Sequence, residues 1–202
     1  MNFVELANGI FEQSVKDYHK TDNVDAPMHN PYKEGTIEYD LYVKNWIDAV
    51  QWHLEDIIRD PEIDPIAALA LKRRIDKSNQ DRTDLVERID SYFWEQFHNV
   101  KKQCRARINT ESPAWAIDRL SILHLKLWHM QEQVDRKEVS TEQHEKCVQK
   151  MAVLKEQLAD MTTSITQLLE DYEAGRRIMK VYRQMKLYND PMTNPVLYGK
   201  KG

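Results

Sequence analysis

The chain has 202 residues, enough for one domain with a sizeable core, and shows no break in composition that would divide it in two. Its 29 basic and 33 acidic side chains are interspersed and leave a formal charge of −4, which offers no basic face for nucleic acid and no acidic tail for a basic partner. Only five Gly and seven Pro interrupt it, in short stretches, so the remainder must form long elements built from good helix formers.

Asn2 reads as an N-cap, with Glu5 three residues on, for a first helix reaching about Lys20. The stretch TDNVDAPMHNPYKEG, about residues 21–35, is an irregular loop by its Pro, Asn and Gly content. Thr36 caps a second helix that must end by Pro61, since proline lacks the amide donor and disfavours helix in the residue before it. Asp64 followed by Pro65 opens a third helix in the N-cap and N1 arrangement, running to about Arg107. Ser112 and Pro113 repeat that signal for a fourth helix ending near Arg136. Ser140 with Gln143 forms a capping box for a fifth helix reaching roughly Met185, bent at Gly175, and the tail at about 188–202 is extended. The expected fold is all-α: residues 1–202 as a single-domain bundle of about five helices, with long third and fifth helices.

No apolar run approaches the roughly 20 residues needed to span a bilayer, and MNFVELANG lacks the regions of a signal peptide, so a cytoplasmic protein with no membrane partner is expected. Cys104 and Cys147 stand alone, without CxxC or Cys/His spacing, and read as free thiols. Glu95 and His98 are the sole Glu-x-x-His pair, on the face opposite the core stripe, so a di-iron bundle is not expected. His19, His29, His129 and His144 read as surface or loop histidines rather than ligands. With no phosphate-binding loop, Rossmann glycine pattern or haem motif either, neither a metal nor a cofactor is expected.

Advancing 100° per residue gives each helix a buried stripe. On the third it runs through Ala68, Leu71, Ile75, Asn79, Arg82, Val86, Ile89, Phe93 and Phe97, so an amide and a guanidinium point where apolar groups belong. The second helix aligns Tyr39, Tyr42, Trp46, Val50, His53 and Ile57, and the fourth is apolar over most of its circumference, which marks it as central. Arg119 also points inward, level with Phe97 and apart from Arg82. A guanidinium on a core stripe must be paired, reach water along its stem, or grip a ligand. In an antiparallel hairpin of the second and third helices, His53 comes within a turn or two of Asn79 and Arg82.

One reading is therefore a pocket for a small phosphate- or carboxylate-bearing ligand, in an enzyme of transfer or hydrolysis. There Arg82 grips the anion, His53 moves the proton, Asn79 orients the ligand, and Asp17 or Asp56 holds the imidazole or the guanidinium. The other is an interaction or scaffold protein whose long helices pair with a partner or as a homodimer, the buried polar groups fixing register.

Four blocks in order, KNWIDAVQWHLEDIIRDPEID, KRRIDKSNQDRTDLVERID, NTESPAWAIDRLSILHLKLWHM and YRQMKLYNDPMTNPVLY, resemble a bacterial family known as domain of unknown function 4254. The resemblance covers nearly the whole chain. It implies a stand-alone, soluble, bacterial helical protein and carries no catalytic residues with it.

Overall fold

Helix-capping chemistry sets most of the observed element starts. In the computed structural model, which describes residues 2–185 and 192–193, the helices are α1 Phe3–Tyr18, α2 Ile37–Ile58, α3 Pro65–Phe97, α4 Pro113–Asp135 and α5 Thr141–Glu173, with no sheet among the described residues. Asn2 accepts from the Glu5 amide at 2.8 Å while the Glu5 carboxylate accepts from the Asn2 amide at 2.9 Å, a reciprocal capping box. Thr36, Asp64 and Ser140 cap α2, α3 and α5 through their side-chain oxygens. Ser112 precedes α4 without making such a bond.

Two helix ends fall short of the sequence expectation, for a single reason. The segment after α3 leaves the helix and pairs with the segment after α5: Gln103 donates to Gly175 O at 2.9 Å, Arg107 to Arg176 O at 3.0 Å, and Ile178 to Arg107 O at 2.9 Å. Gly175 does not bend α5 but follows its end, at φ 69°, and a Cβ there would lie 2.2 Å from Lys101 O. The chain spends its backbone hydrogen bonds on this crossing instead of on continued helix. The extended tail expected from about residue 188 lies outside the described residues, apart from a turn at 192–193.

Contacts along the bundle give the helix directions. Ser14 bonds Tyr42 O, while Tyr18 further along α1 packs on Trp46 and His53 further along α2, so α1 and α2 run the same way. Gln51 meets Asn79 while Asp40 meets Arg88, so α3 runs against α2. The α4 helix packs against all four others, as its apolar circumference requires, and runs with α1 and α2: Asn8 meets His124, Asn45 meets Ser121, and Trp52 meets His129. The C-terminal parts of α1, α2 and α4 therefore lie at one end of the bundle.

The core is built from Ile10, Phe11, Tyr18, Leu41, Tyr42, Leu85, Ile89, Phe93, Ile117 and Leu120, all buried. A helix of 33 residues is about 50 Å long, and the first turns of α3 outrun this cover: Ile66 is 81% and Leu69 53% exposed. Arg119, expected to point inward, faces solvent and pairs with Glu111. Its neighbour Asp118 points in instead, on the buried stripe of Ala114, Asp118, Ser121 and Leu125 that α4 turns toward α2 and α3.

Candidate metal centre and the adjoining charge network

Four ionic side chains from three helices meet in the middle of the bundle. Arg82 of α3 donates through Nε and Nη2 to the two oxygens of Asp118 at 3.1 and 2.9 Å, a bidentate pair, and Nε also lies 3.3 Å from Asp48. Lys44, wholly buried, bonds Asp48 one turn along α2 and reaches Asp118 at 2.9 Å. Ser121 donates to Asp48 at 2.6 Å, and Asn45 donates to the Ser121 hydroxyl at 3.1 Å. Two cations and two carboxylates balance, and each carboxylate is engaged by both cations. Burial pushes the Asp118 carboxyl upward, but Lys44 and Arg82 outweigh it and hold it below the usual carboxylate range. Burial pushes the Asp48 carboxyl up against the pull of Lys44.

The residues singled out from sequence fall into two neighbourhoods. Arg82, with its side chain 24% exposed, and Asp56 line a cavity of about 300 Å³ whose walls include Gln51, Trp52, Ile122 and Leu125. Asn79 stands behind that wall and accepts from Gln51 at 2.8 Å. Asp56 pairs with Arg59, and Asp17 accepts from the Tyr42 hydroxyl at 3.0 Å and from Lys20 at 2.6 Å, so neither touches Arg82. The guanidinium's partners, Asp118 and Asp48, were not singled out, and their one local signal is the four-residue spacing of Lys44 and Asp48 on a stripe that continues the core.

His53 faces the other way, toward the end of the bundle where α1, α2 and α4 converge. There it meets His19, in the turn that caps α1, and His129 of α4, both partly buried. One ring nitrogen from each lies within 4.8 Å of the others. The three Nε2 atoms are all buried, and none has a hydrogen-bond partner among the described residues. Ring centroids are 5.5, 5.2 and 5.3 Å apart, with planes 63–71° to one another. Three imidazoles bound radially to one tetrahedral ion, with metal–nitrogen bonds of about 2.1 Å, would place their centroids roughly 5.2 Å apart.

Each imidazole is set by an aromatic plate, and two of the three by a hydrogen bond as well. Trp128 stacks on His19 at 4.6 Å, Trp52 on His129 at 4.8 Å, and Tyr18 on His53 at 5.2 Å. His19 Nδ1 donates to Val15 O at 2.8 Å, and His129 Nδ1 donates to Glu132 at 2.9 Å, while Glu132 also accepts from Trp128 at 3.1 Å. Protonating Nδ1 leaves the Nε2 lone pair as the free donor, which is how metal-ligating histidines are oriented. Burial lowers the pKa of both His19 and His53, keeping those rings neutral and able to coordinate. The Asp22 carboxylate lies 3.5 Å from His53 Nε2, and Trp52 lines the Arg82 cavity and also plates His129, so the two neighbourhoods share a wall.

Comparison with curated proteins finds no match, and comparison with solved structures finds none. The profile of one family matches residues 38–181, a span that takes in the whole charge network together with His53 and His129 and leaves His19 and Asp22 on the preceding segment. Because that match covers more than half of the 202 residues, the chain belongs to the family described as Protein of unknown function (DUF4254).

Proposed function

We propose that this helical protein holds one divalent transition-metal ion, of the zinc class, on the Nε2 atoms of His19, His53 and His129, and that the ion serves chemistry on a small ligand. The observation that carries this reading is the convergence of three buried nitrogens without hydrogen-bond partners among the described residues, each on a ring fixed by its own aromatic plate. An unsatisfied buried polar atom costs about 1–3 kcal/mol, so three in one place call for a ligand rather than for packing. Imidazole suits zinc, copper, nickel and iron, and the end of α1 at His19 puts the negative end of a helix dipole beside the cation.

Three neutral nitrogen donors and a further position for water or substrate are the ligand set of catalytic zinc sites, whereas structural sites are closed by four protein ligands. A bound ion of this kind lowers the pKa of its water to about 7 and polarises carbonyl or phosphoryl oxygens. The 300 Å³ cavity beyond Trp52 is the place for the ligand's body, and the exposed edge of the Arg82 guanidinium supports the choice of a carboxylate or phosphate as its anionic end. The satisfied state of the four-charge network supports a register-fixing role for its inner members, as in the scaffold reading. That role leaves the three imidazoles unexplained.

The test is a Zn²⁺ titration of protein freed of metal by chelation, followed by equilibrium dialysis and melting temperature. One ion per chain is expected, and Zn²⁺ at a hundred times its Kd should add about 2.7 kcal/mol, roughly 5–10 °C for a chain of this size. His19→Ala, His53→Ala and His129→Ala should each lose most of that rise. Equal binding by wild type and a variant lacking all three imidazoles overturns the assignment.

A further inference from the structure

Resting on the three-histidine reading, we propose that Asp22 is the fourth, exchangeable ligand of the same ion, presented by the turn after α1 and positioned by Arg74 of α3. The carboxylate Oδ1 stands 3.5 Å from His53 Nε2, on the solvent side of the cluster with its side chain 60% exposed. A small shift of the turn would bring it into the coordination shell of an ion on the three nitrogens.

The backbone shows how the turn presents an aspartate there. Asp22 is the one non-glycine residue with positive φ among the described residues, at 49°. This left-handed conformation is the position after a helix end that glycine or asparagine fills at least strain. The turn is closed by the amides of Thr21 and Asp22 donating to Tyr18 O at 3.2 and 3.0 Å, which gives the backbone reason for the conformation and none for a carboxylate. Aspartate tolerates this conformation as asparagine does, so the turn accepts a carboxylate at this point and presents it beside the three imidazole nitrogens.

Arg74 reaches across from α3 to hold the far side of the same turn. Its Nη1 lies 2.7 Å from Asp25 Oδ1 and its Nη2 donates to Val24 O at 2.6 Å. Its guanidinium grips the loop rather than the imidazoles, so Arg74 acts as a positioning residue through that loop. With Asp22 on the ion the site is a closed, four-coordinate N₃O centre, and with Asp22 displaced it is open. A phosphate or carboxylate on the ligand is an oxygen donor of the same kind as Asp22 and can exchange with it on the ion, in keeping with the anionic end assigned to the ligand.

Co²⁺, whose visible absorption reports coordination number, distinguishes these states in full-length protein. Wild type should give an intense tetrahedral spectrum. Asp22→Gly should leave the metal-free melting temperature unchanged or raise it by a few degrees, because glycine accepts the positive φ. The same change should weaken Co²⁺ binding by on the order of tenfold or more and make the spectrum respond to inorganic phosphate at lower concentration than in wild type. Arg74→Met should weaken binding a few-fold with the tetrahedral spectrum retained, an effect that a purely structural surface pair would not produce. Unchanged Co²⁺ affinity and spectrum in Asp22→Gly, in a protein whose binding is abolished by His53→Ala, overturns the Asp22 assignment alone. Failure of wild type to bind Co²⁺ overturns both this and the three-histidine site.

Discussion

Replacing Arg82 with Leu removes the guanidinium and keeps an apolar stem, and the structure fixes what is left behind. Asp118, 3% exposed, loses its bidentate partner, and Asp48, 5% exposed, loses its second cation. Lys44 alone then faces two buried carboxylates. Breaking a buried pair by removing one partner costs about 3–5 kcal/mol. Because the Arg82 side chain is 24% exposed and water can enter behind it, the lower end, about 3 kcal/mol, is expected. For a chain of this length that is a fall of roughly 6–12 °C in melting temperature. Adding Asp118→Asn to Arg82→Leu should restore most of the loss, since one cation then faces one charge, whereas Asp17→Asn or Asp56→Asn should restore none. Differential scanning calorimetry of the single and double variants measures the coupling directly. A change of under about 2 °C in Arg82→Leu, or rescue by Asp56→Asn, would refute the closed-network argument and return Arg82 to a free role in its cavity.

Acid should expose a second buried group. Burial lowers the pKa of His124 from 6.5 to about 4, its Nε2 donating to Asn8, which in turn bonds Thr162 of α5. A base whose folded pKa is depressed holds its full stability above the unfolded value and loses it as pH falls from about 6.5 toward 4, here by at most about 3 kcal/mol. His19 and His53 are shifted the same way, so the His124 share is read as the difference between wild type and His124→Gln across that range; parallel pH curves would show that His124 carries none of it. His129→Phe keeps the ring stacked on Trp52 and removes the orphaned Nε2 together with the exposed Nδ1 bond to Glu132, so it should leave the metal-free protein about as stable as wild type and lose the Zn²⁺-dependent rise in melting temperature. A drop of several degrees in the metal-free state would show that the nitrogen is satisfied as it stands.

Helix starts were legible because they are local chemistry: Asn2 with Glu5, Asp64 with Pro65, and Ser140 with Gln143 carry their instructions within a few residues. The ends of α3 and α5 were not, because nothing between Phe97 and Arg107 breaks a helix by composition. The decision there is made by a crossing with residues 175–178, far along the chain. The same crossing sets the level at which α4 meets the site. A third helix drawn to Arg107 sets α4 too high, brings Arg119 level with Phe97, and hides the meeting of Asp118 with Arg82. Arg82 and His53 were visible as polar residues on apolar stripes, but His19 and His129 share no spacing with His53. The parallel run of α1, α2 and α4 is what brings them together, and single-sequence periodicity says nothing of helix direction.

The contrast between the two polar clusters carries the functional argument further than either does alone. At Arg82 the fold shows that it can bury four charges and engage each of them: two carboxylates and two cations pair with one another and Ser121 donates to Asp48, although Oδ1 of the adjoining Asn45 has no hydrogen-bond partner among the described residues. At the imidazoles, under the same packing constraints, each ring is stacked and two of the three are hydrogen-bonded through Nδ1, yet all three Nε2 atoms lack a partner. At about 1–3 kcal/mol each, those nitrogens cost an amount comparable with the 5–15 kcal/mol that holds a typical domain together. Replacing a ring with phenylalanine would relieve its share and keep the stack at the loss of at most one Nδ1 hydrogen bond, worth about 0.5–1.5 kcal/mol, so stability alone gives little reason to keep three. Their retention is explained if the missing partner is a cation that all three share.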